Sequence, residues 1–497
     1  MITVVGMDGS PLSPRAGQAL ADATLVVGAR RHLAAVSALA PAPARPAATA
    51  NGPPGARVIV LGELAPALDA LAAHDGDAVV LASGDPGFFG IVRALRDRGL
   101  PCTVLPAVSS VAAAFARAGL PWDDAAVVSA HGRDPRRALN VCRAFPKVAV
   151  LTGPGAGPAE IGAALDGWDR RLVVAEHLGS DAERVTECTP ADAATRTWAD
   201  PNVVLVLAPS ESVIMGFWSL ERPEPHDHEA RAGRGDTAGE TNGACGTAGP
   251  GWTWPRRAVP PSWALPDEQF DSRDAVLTKA EVRALALARL APAPGLLVWD
   301  VGAGSGSVAV ECARFGAAVI AVERDAVRCE RIRANAARHG VDVRVVPGEA
   351  PEALGRLPDP DVVFVGGGGP AVIEAVAARH PARIVVALAA VERAGPAHAA
   401  LSAAGYAVGG ALVQAARFAP LPRDVHRLAA INPVFLVWAA APGATEPTGP
   451  GHPRSGSGDP GATEPTGPGD PRQSPGDPGA TEPAGPGDPP QGPGAPR

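Results

Sequence analysis

Aromatic residues make up only 4% of this 497-residue chain, with one tyrosine among them. Base stacking needs rings, so a platform for single-stranded nucleic acid has little to be built from. The cores must rely on Ala, Val and Leu. Basic charge is scarce too. The net charge is −8, of which residues 441–497 supply −4 (seven acids, three bases) and residues 221–250 supply −3 (six acids, three bases). The remainder is nearly neutral and offers no electrostatic footprint for a phosphate backbone. The six cysteines (Cys102, Cys142, Cys188, Cys245, Cys312, Cys329) are scattered without a C-x-x-C pair. That argues against disulfides and zinc, and no metal site is expected. No apolar run reaches the ~20 residues of a membrane span, and "MITVVGMDGS" reads as a first strand rather than a signal peptide. A cytoplasmic protein is expected, with no membrane partner.

What is present is a large stock of small apolar residues. Hydrophobic residues reach 46%, enough for real cores, and the length implies two or three domains. Two segments stand apart from these cores. Residues 221–251 contain almost no large apolar side chain, cannot offset their ordering entropy, and read as a disordered linker. Residues 441–497 repeat "PGATEPTGPG" at Pro442 and Pro460, and as "PGATEPAGPG" at Pro478. Proline and glycine at that density without a collagen period mark a disordered tail. The domains predicted are therefore 1–220 and 252–440.

Within 1–220, "ITVVG", "ATLVVG", "RVIVLG", "DAVVLAS" and "PCTVLPA" read as buried strands. "LSPRAGQALADA", "PGFFGIVRALRDRG" and "SSVAAAFARAG" read as helices between them. "KVAVLTG", "RLVVAEHLG" and "NVVLVLAPS" continue the strand pattern, which predicts two α/β halves built on parallel sheet. Within 252–440 the alternation is cleaner. Its last two runs, "YAVGGALVQA" and "NPVFLVWAA", are joined by a stretch that reads as a loop, so they should pair antiparallel at a sheet edge.

Two glycine loops carry the chemistry. In "WDVGAGSGSVAVE", Asp300 ends a strand, Gly302-Ala303-Gly304-Ser305-Gly306 turns, and a helix begins. Glycine lets backbone approach a ligand, and the helix start offers free N–H groups. Glu323 ends the next strand, where a carboxylate can accept from ribose hydroxyls. The G-x-G-x-G spacing misses the dinucleotide fingerprint. The other loop, "VVLASGDPGFFGIV", turns at Gly84-Asp85-Pro86-Gly87, where Asp85 also suits an Asx turn. Residues alone leave a ligand cleft and a plain turn both open there.

The downstream loop resembles the first motif of class I S-adenosylmethionine methyltransferases. With "FDSRDAVLTKAEVRALALARL", "VERD", "GEAPEAL" and "DVVFVGGGG", the segment 260–440 is similar to the methylating and decarboxylating branch in cobalamin biosynthesis. "VVGMDG", "LVVGARRHL", "LASGDPGFFG", "PAVSSVAAAFARAGLPWDDAAVVSAHGR" and "VAEHLGSDAERV" make residues 1–210 resemble the tetrapyrrole methylase family, in its carbon-5 methylating branch. The resemblance implies a two-lobed methylase fold followed by a Rossmann-like domain, and two S-adenosylmethionine sites. It implies methylation of one tetrapyrrole at carbons 5 and 15, with loss of a ring acetate carboxyl. It places Gly6, Gly84, Asp85, Ser109, Ser110 and Thr152 around the first cofactor, and Thr278, Gly302, Ala303, Gly304, Ser305, Gly306, Glu323, Glu349 and Ala350 around the second. For Glu349 an ordinary acid at a helix start is an equal reading. Lys279, Arg283, His131 and Arg133 are candidates for the substrate's carboxylates, and His32 and His177 are ambiguous between structure and site. The family's Asn on the "RIVVALAAVER" strand is replaced by Ala387. A self-associating enzyme is expected. Methylation of RNA or protein, or a first domain that binds without turnover, are the competing readings.

Overall fold

The computed structural model describes residues 1–39, 56–131, 134–209, 252–253, 262–272 and 277–444. The predicted linker 221–251, the tail beyond 444 and Arg133 lie outside them.

The first sheet holds β1 (Ile2–Met7), β2 (Leu25–Gly28), β3 (Arg57–Val60), β4 (Ala78–Ser83) and β5 (Cys102–Leu105), in the order β3-β2-β4-β1-β5. All its pairings are parallel. Both faces are covered, which is why Val4, Leu25, Val26, Val27 and Val80 are fully buried in strands without alternation. The stretch expected as one long helix after β4 is shorter: the helix spans only Val92–Asp97. Phe88 and Phe89 lie in the preceding turn and pack against the core of the second half.

The second sheet corrects an expectation. It contains β6 (Ala126–Ser129), β7 (Lys147–Leu151), β8 (Arg171–Glu176), β9 (Arg184–Cys188), β10 (Asn202–Leu207) and β11 (Trp252–Thr253), in the order β11-β6-β7-β10-β8-β9. Only β6 and β7 pair in parallel; the rest of the sheet is antiparallel.

The third sheet takes β12 (Leu297–Val301), β13 (Ala318–Glu323), β14 (Arg344–Pro347), β15 (Val362–Val365), β16 (Arg383–Leu388) and β17 (Ala407–Val413). A hairpin of β18 (Ala416–Leu421) and β19 (Val425–Ala430) follows, then β20 (Val434–Ala440). The order β14-β13-β12-β15-β16-β20-β17 is parallel except around β20, which is antiparallel to β16 and to β17. The antiparallel edge is as expected. The connection read as a loop is the β18–β19 hairpin.

One apolar core runs from the second sheet into the third. Val141, Phe145 and Trp168 belong to the same buried cluster as Leu297, Trp299 and Ile320. Polar groups fix the register of this contact. On the helix Pro135–Ala144, Arg136, Asn140 and Arg143 share one face by helical spacing. Asn140 Nδ2 donates to Gly295 O and to Asp361 Oδ2, both at 3.1 Å, and Arg143 Nη1 donates to Asn140 Oδ1 at 2.7 Å. Asp361 also accepts from Leu297 N at 2.7 Å. Further along, Arg170 Nη2 donates to Asp342 Oδ2 at 2.8 Å. Gly295, Asp342 and Asp361 all lie at the amino ends of third-sheet strands, so its carboxyl ends stay clear of these bonds.

Candidate active sites

In the first sheet, the carboxyl ends of β4, β1 and β5 converge. A Cβ on Gly6 would stand 2.1 Å from Gly84 O and 2.5 Å from Ala107 N, so only glycine lets these loops meet. Gly84 adopts φ +55°, and its N–H donates to Met7 O at 2.7 Å. Ser109 Oγ accepts from Ala112 N at 3.1 Å and caps the helix Ser110–Ala118. A Cβ on Gly84 would lie 3.0 Å from Ser109 Cα, so this helix start faces the turn. Asp85 Oδ1 accepts from Gly87 N at 2.8 Å, the Asx turn that its position before proline suggested.

Thr152 and His131 occupy the corresponding end of the second sheet, after β7 and β6. Thr152 Oγ1 donates to Asn202 O at 2.8 Å, and His131 is exposed. The two halves touch where Gly9 approaches Gly179: a Cβ on either would fall 1.9 Å from the other loop's carbonyl. His177 opens that loop in a left-handed conformation, φ +49°. Asp8 was not singled out by sequence reasoning. Its Oδ2 accepts from Val108 N at 3.1 Å and its Oδ1 from Ser10 N at 3.0 Å, tying the β1 loop to the β5 loop. Burial pushes its carboxyl up, but the Ser10 and Val108 bonds outweigh it and hold the group below the usual range. An acid directly after an apolar strand was the available signal.

In the third sheet the strand order reverses between β12 and β15, and the loops after both form the crevice where open α/β sheets bind ligands. A Cβ on Gly302 (φ +73°) would meet Gly367 N at 3.0 Å. Glu323 is buried, with Oε2 accepting from Gly304 N at 2.8 Å and Oε1 from Asp325 N at 3.1 Å. A carboxylate has about four lone-pair positions, so capacity remains for hydroxyl donors. Asp300 is buried beside it and accepts from Ala309 N at 2.9 Å. Burial pushes the Asp300 carboxyl up to about 7, against the lowering Ala309 bond and with the Glu323 charge adding to the rise. Asp300 Oδ1 and Ser305 Oγ are buried without partners. Asn335, also missed from sequence, donates to Ser305 O at 2.9 Å and accepts from Asp271 N at 2.9 Å. A mid-helix asparagine, a poor helix former, was its only trace.

The remaining candidates separate. Lys279 is the residue before the helix Ala280–Leu290 and is partly exposed, its Nζ 3.7 Å from Asp267 Oδ2. Arg283 corrects the expectation of a substrate contact. It is completely buried, its Nε donates to Glu311 Oε1 at 2.8 Å, and its Nη1 donates to Thr278 O at 2.5 Å. Its Nη2 donates to Leu265 O, so all three guanidinium nitrogens are held by the protein, away from solvent. Glu349 is exposed and paired with Arg324 at 2.9 Å, with Ala350 following at the end of the β14 loop. Ala387 sits opposite Leu436 in the ladder and packs in an apolar cluster.

Among the described residues no cluster of His, Cys, Asp or Glu could hold a metal ion, and no helix is long and apolar enough to cross a membrane. Both crevices suit a ligand held by backbone groups. Each is a glycine cradle that a Cβ would fill, and the second adds unpartnered buried oxygens.

Known proteins resemble both halves of the chain. Residues 2–194 match the tetrapyrrole (corrin/porphyrin) methylases, and residues 268–437 match the precorrin methyltransferase domain. Fold and loops thus define a two-domain methyltransferase of the class that uses S-adenosylmethionine. The chain is 33% identical over 379 residues to the precorrin-6Y C(5,15)-methyltransferase [decarboxylating] of a Sinorhizobium species, covering 74% of this chain and 78% of that one. It is 33% identical over 390 residues to the protein of that name from Mycobacterium tuberculosis, covering 76% and 83%. A cobalt-precorrin-7 C(5)-methyltransferase of Salmonella typhimurium is 32% identical over 200 residues, 37% of this chain and 89% of that one. The chain belongs to the family of decarboxylating precorrin-6Y C(5,15)-methyltransferases, enzymes of cobalamin biosynthesis.

Proposed function

We propose that this chain methylates precorrin-6B at carbons 5 and 15 and removes the ring C acetate carboxyl at carbon 12, giving precorrin-8X. One observation carries the reading: a single chain holds two separate glycine-shaped crevices, each at the carboxyl ends of a parallel sheet. S-adenosylmethionine supplies, when bound, a methyl group on a sulfonium sulfur. The first crevice would hold it with the backbone around Gly6, Gly84, Asp85, Ser109, Ser110 and Thr152. The second would use Gly302 to Gly306, Glu323, Thr278, Glu349 and Ala350.

Methyl transfer to an electron-rich ring carbon is an in-line displacement that needs little acid–base help. The protein's work is alignment and exclusion of water. The start of the helix Ser110–Ala118, which faces the Gly84 turn, suits an anionic group, because the first N–H groups of a helix have no partner within it. Decarboxylation asks more. The bond from the acetate methylene to its carboxyl breaks, the electron pair enters the conjugated macrocycle, CO2 leaves, and a proton is delivered to that methylene, leaving a methyl group. Lys279, partly exposed, is the candidate to grip that carboxylate, whereas Arg283 is spent on Glu311. His131 and Arg133 are the candidates for substrate carboxylates at the first crevice.

The reading carries with it a cytoplasmic location, no role for nucleic acid, and self-association. Self-association is supported by the β18–β19 hairpin, where the cross-strand partners Phe418 and Leu428 are 80% and 66% exposed. Titration calorimetry of the full chain with S-adenosylmethionine tests the two-site claim. Two molecules should bind per chain; one would leave one of the two domains without a cofactor and overturn the claim.

A further inference from the structure

The helix Arg30–Leu39 begins directly after β2, and its second residue, Arg31, is exposed. Arg31 Nη2 donates to Ser83 Oγ at 2.8 Å, and Arg31 Nε donates to His32 Nε2 at 3.3 Å. Ser83 Oγ lies 3.0 Å from the same His32 nitrogen. Arginine can only donate, so His32 Nε2 carries no proton and accepts from both neighbours. The buried His32 ring is neutral in keeping with this: burial, with the Arg31 charge adding, pushes it down to about 4. Two neutral groups therefore pin the guanidinium. No ion pair involves Arg31 among the described residues, and its Nη1 makes no hydrogen bond. Ser83 is the last residue of β4, so this uncompensated cation stands one residue from Gly84.

Holding a long, charged side chain in one geometry costs rotamer entropy, and a solvated surface arginine has no reason to meet that cost. A guanidinium fixed with one edge open matches the fork of a carboxylate. We propose that Arg31 binds a carboxylate arm of the tetrapyrrole in the first domain, with Ser83 and His32 as positioning residues. This rests on the proposed function, in which that domain methylates a carboxylate-bearing macrocycle.

The test uses full-length enzyme carrying Arg31→Gln, Arg31→Lys or Ser83→Ala. Methylation at carbon 5 is followed separately from methylation at carbon 15 and CO2 release, which report on the other domain of the same molecule. Binding of precorrin-6B without S-adenosylmethionine is measured alongside. Loss of a charged hydrogen bond predicts that Arg31→Gln raises KM at the carbon-5 step by about 10- to 100-fold, with kcat little changed. Macrocycle binding to the first domain should weaken in parallel. Arg31→Lys should fall between, because it restores charge without the fork, and Ser83→Ala should shift KM in the same direction but less. The carbon-15 step should be unaltered. An unchanged carbon-5 KM in Arg31→Gln, or equal losses at both steps, would overturn the assignment. Absence of carbon-5 methylation by the wild-type enzyme would instead overturn the proposed function, and this assignment with it.

Discussion

Gly6→Ala should cut methylation at carbon 5 by on the order of 100-fold while carbon 15 methylation and decarboxylation continue. The added Cβ would overlap Gly84 O and Ala107 N, which are backbone atoms that no rotamer change can move aside. Relief requires the β1 loop to part from the Gly84-Asp85-Pro86 turn. That strains the Gly84 N to Met7 O bond of 2.7 Å and the Ala107 N to Gly84 O bond of 3.3 Å. Misplacing a reacting group by about 1 Å is enough for a loss of that size. Overpacking adds about 1–3 kcal/mol of destabilisation, which leaves an average domain folded. Counting methyl groups in the product by mass spectrometry separates the two steps. A Gly6→Ala enzyme with undiminished carbon-5 methylation would mean that these loops do not shape the site.

Arg283→Met should have the other large effect, on stability rather than recognition. Arg283 and Glu311 are both wholly buried, and Glu311 also accepts from Ala264 N at 2.9 Å and Leu265 N at 2.7 Å. Removing Arg283 leaves the buried Glu311 with Arg314 Nη1, at 3.7 Å, as its remaining cation, and breaking a buried pair in this way costs about 3–5 kcal/mol. Phe270 loses the guanidinium that lies 4.7 Å from its ring centre. The Thr278 and Leu265 carbonyls lose their donor, so the segment leading to Lys279 loosens with the core. Calorimetry should show a lowered unfolding temperature for the second domain, with the carbon-15 reaction lost at temperatures where the wild type works. Glu311→Leu with Arg283→Met should cost less than the two separate losses combined, because neither charge is then left buried without the other. A variant with wild-type stability and only a raised KM for the macrocycle would restore the substrate-contact reading.

That contrast shows where the sequence could be read and where it could not. The third sheet was legible because each strand, glycine loop and acid follows a local rule. Gly302, Gly304, Gly306 and Glu323 sit within some 20 residues of one another, and their meeting follows from the βαβ geometry itself. Arg283 was opaque for the opposite reason. Beside Glu281 it looks like one charge on a solvated helix face, and only the distant segment carrying Leu265 and Asp267 covers it. Arg136 and Asn140 are disguised likewise, as their partner Asp361 lies more than 200 residues away. The second sheet was misread because "KVAVL", "RLVVAE" and "NVVLVL" are buried on both faces. Such runs have no alternation, and hydrophobic pattern carries no strand direction. Similarly, "VVLASGDPGFFGIV" did predict the turn at Gly84. It could not show that Gly6 and Ala107 close on that turn, nor that Ser83 beside it holds Arg31.

The central claim is that one chain performs two methylations and one decarboxylation on one macrocycle. Mass spectrometry of precorrin-6B incubated with the full chain and S-adenosylmethionine tests it most directly. The account predicts a product that has gained two methyl groups and lost one CO2. A product with the methyl gain but its full set of carboxylates, or with a single added methyl at complete turnover, would contradict it.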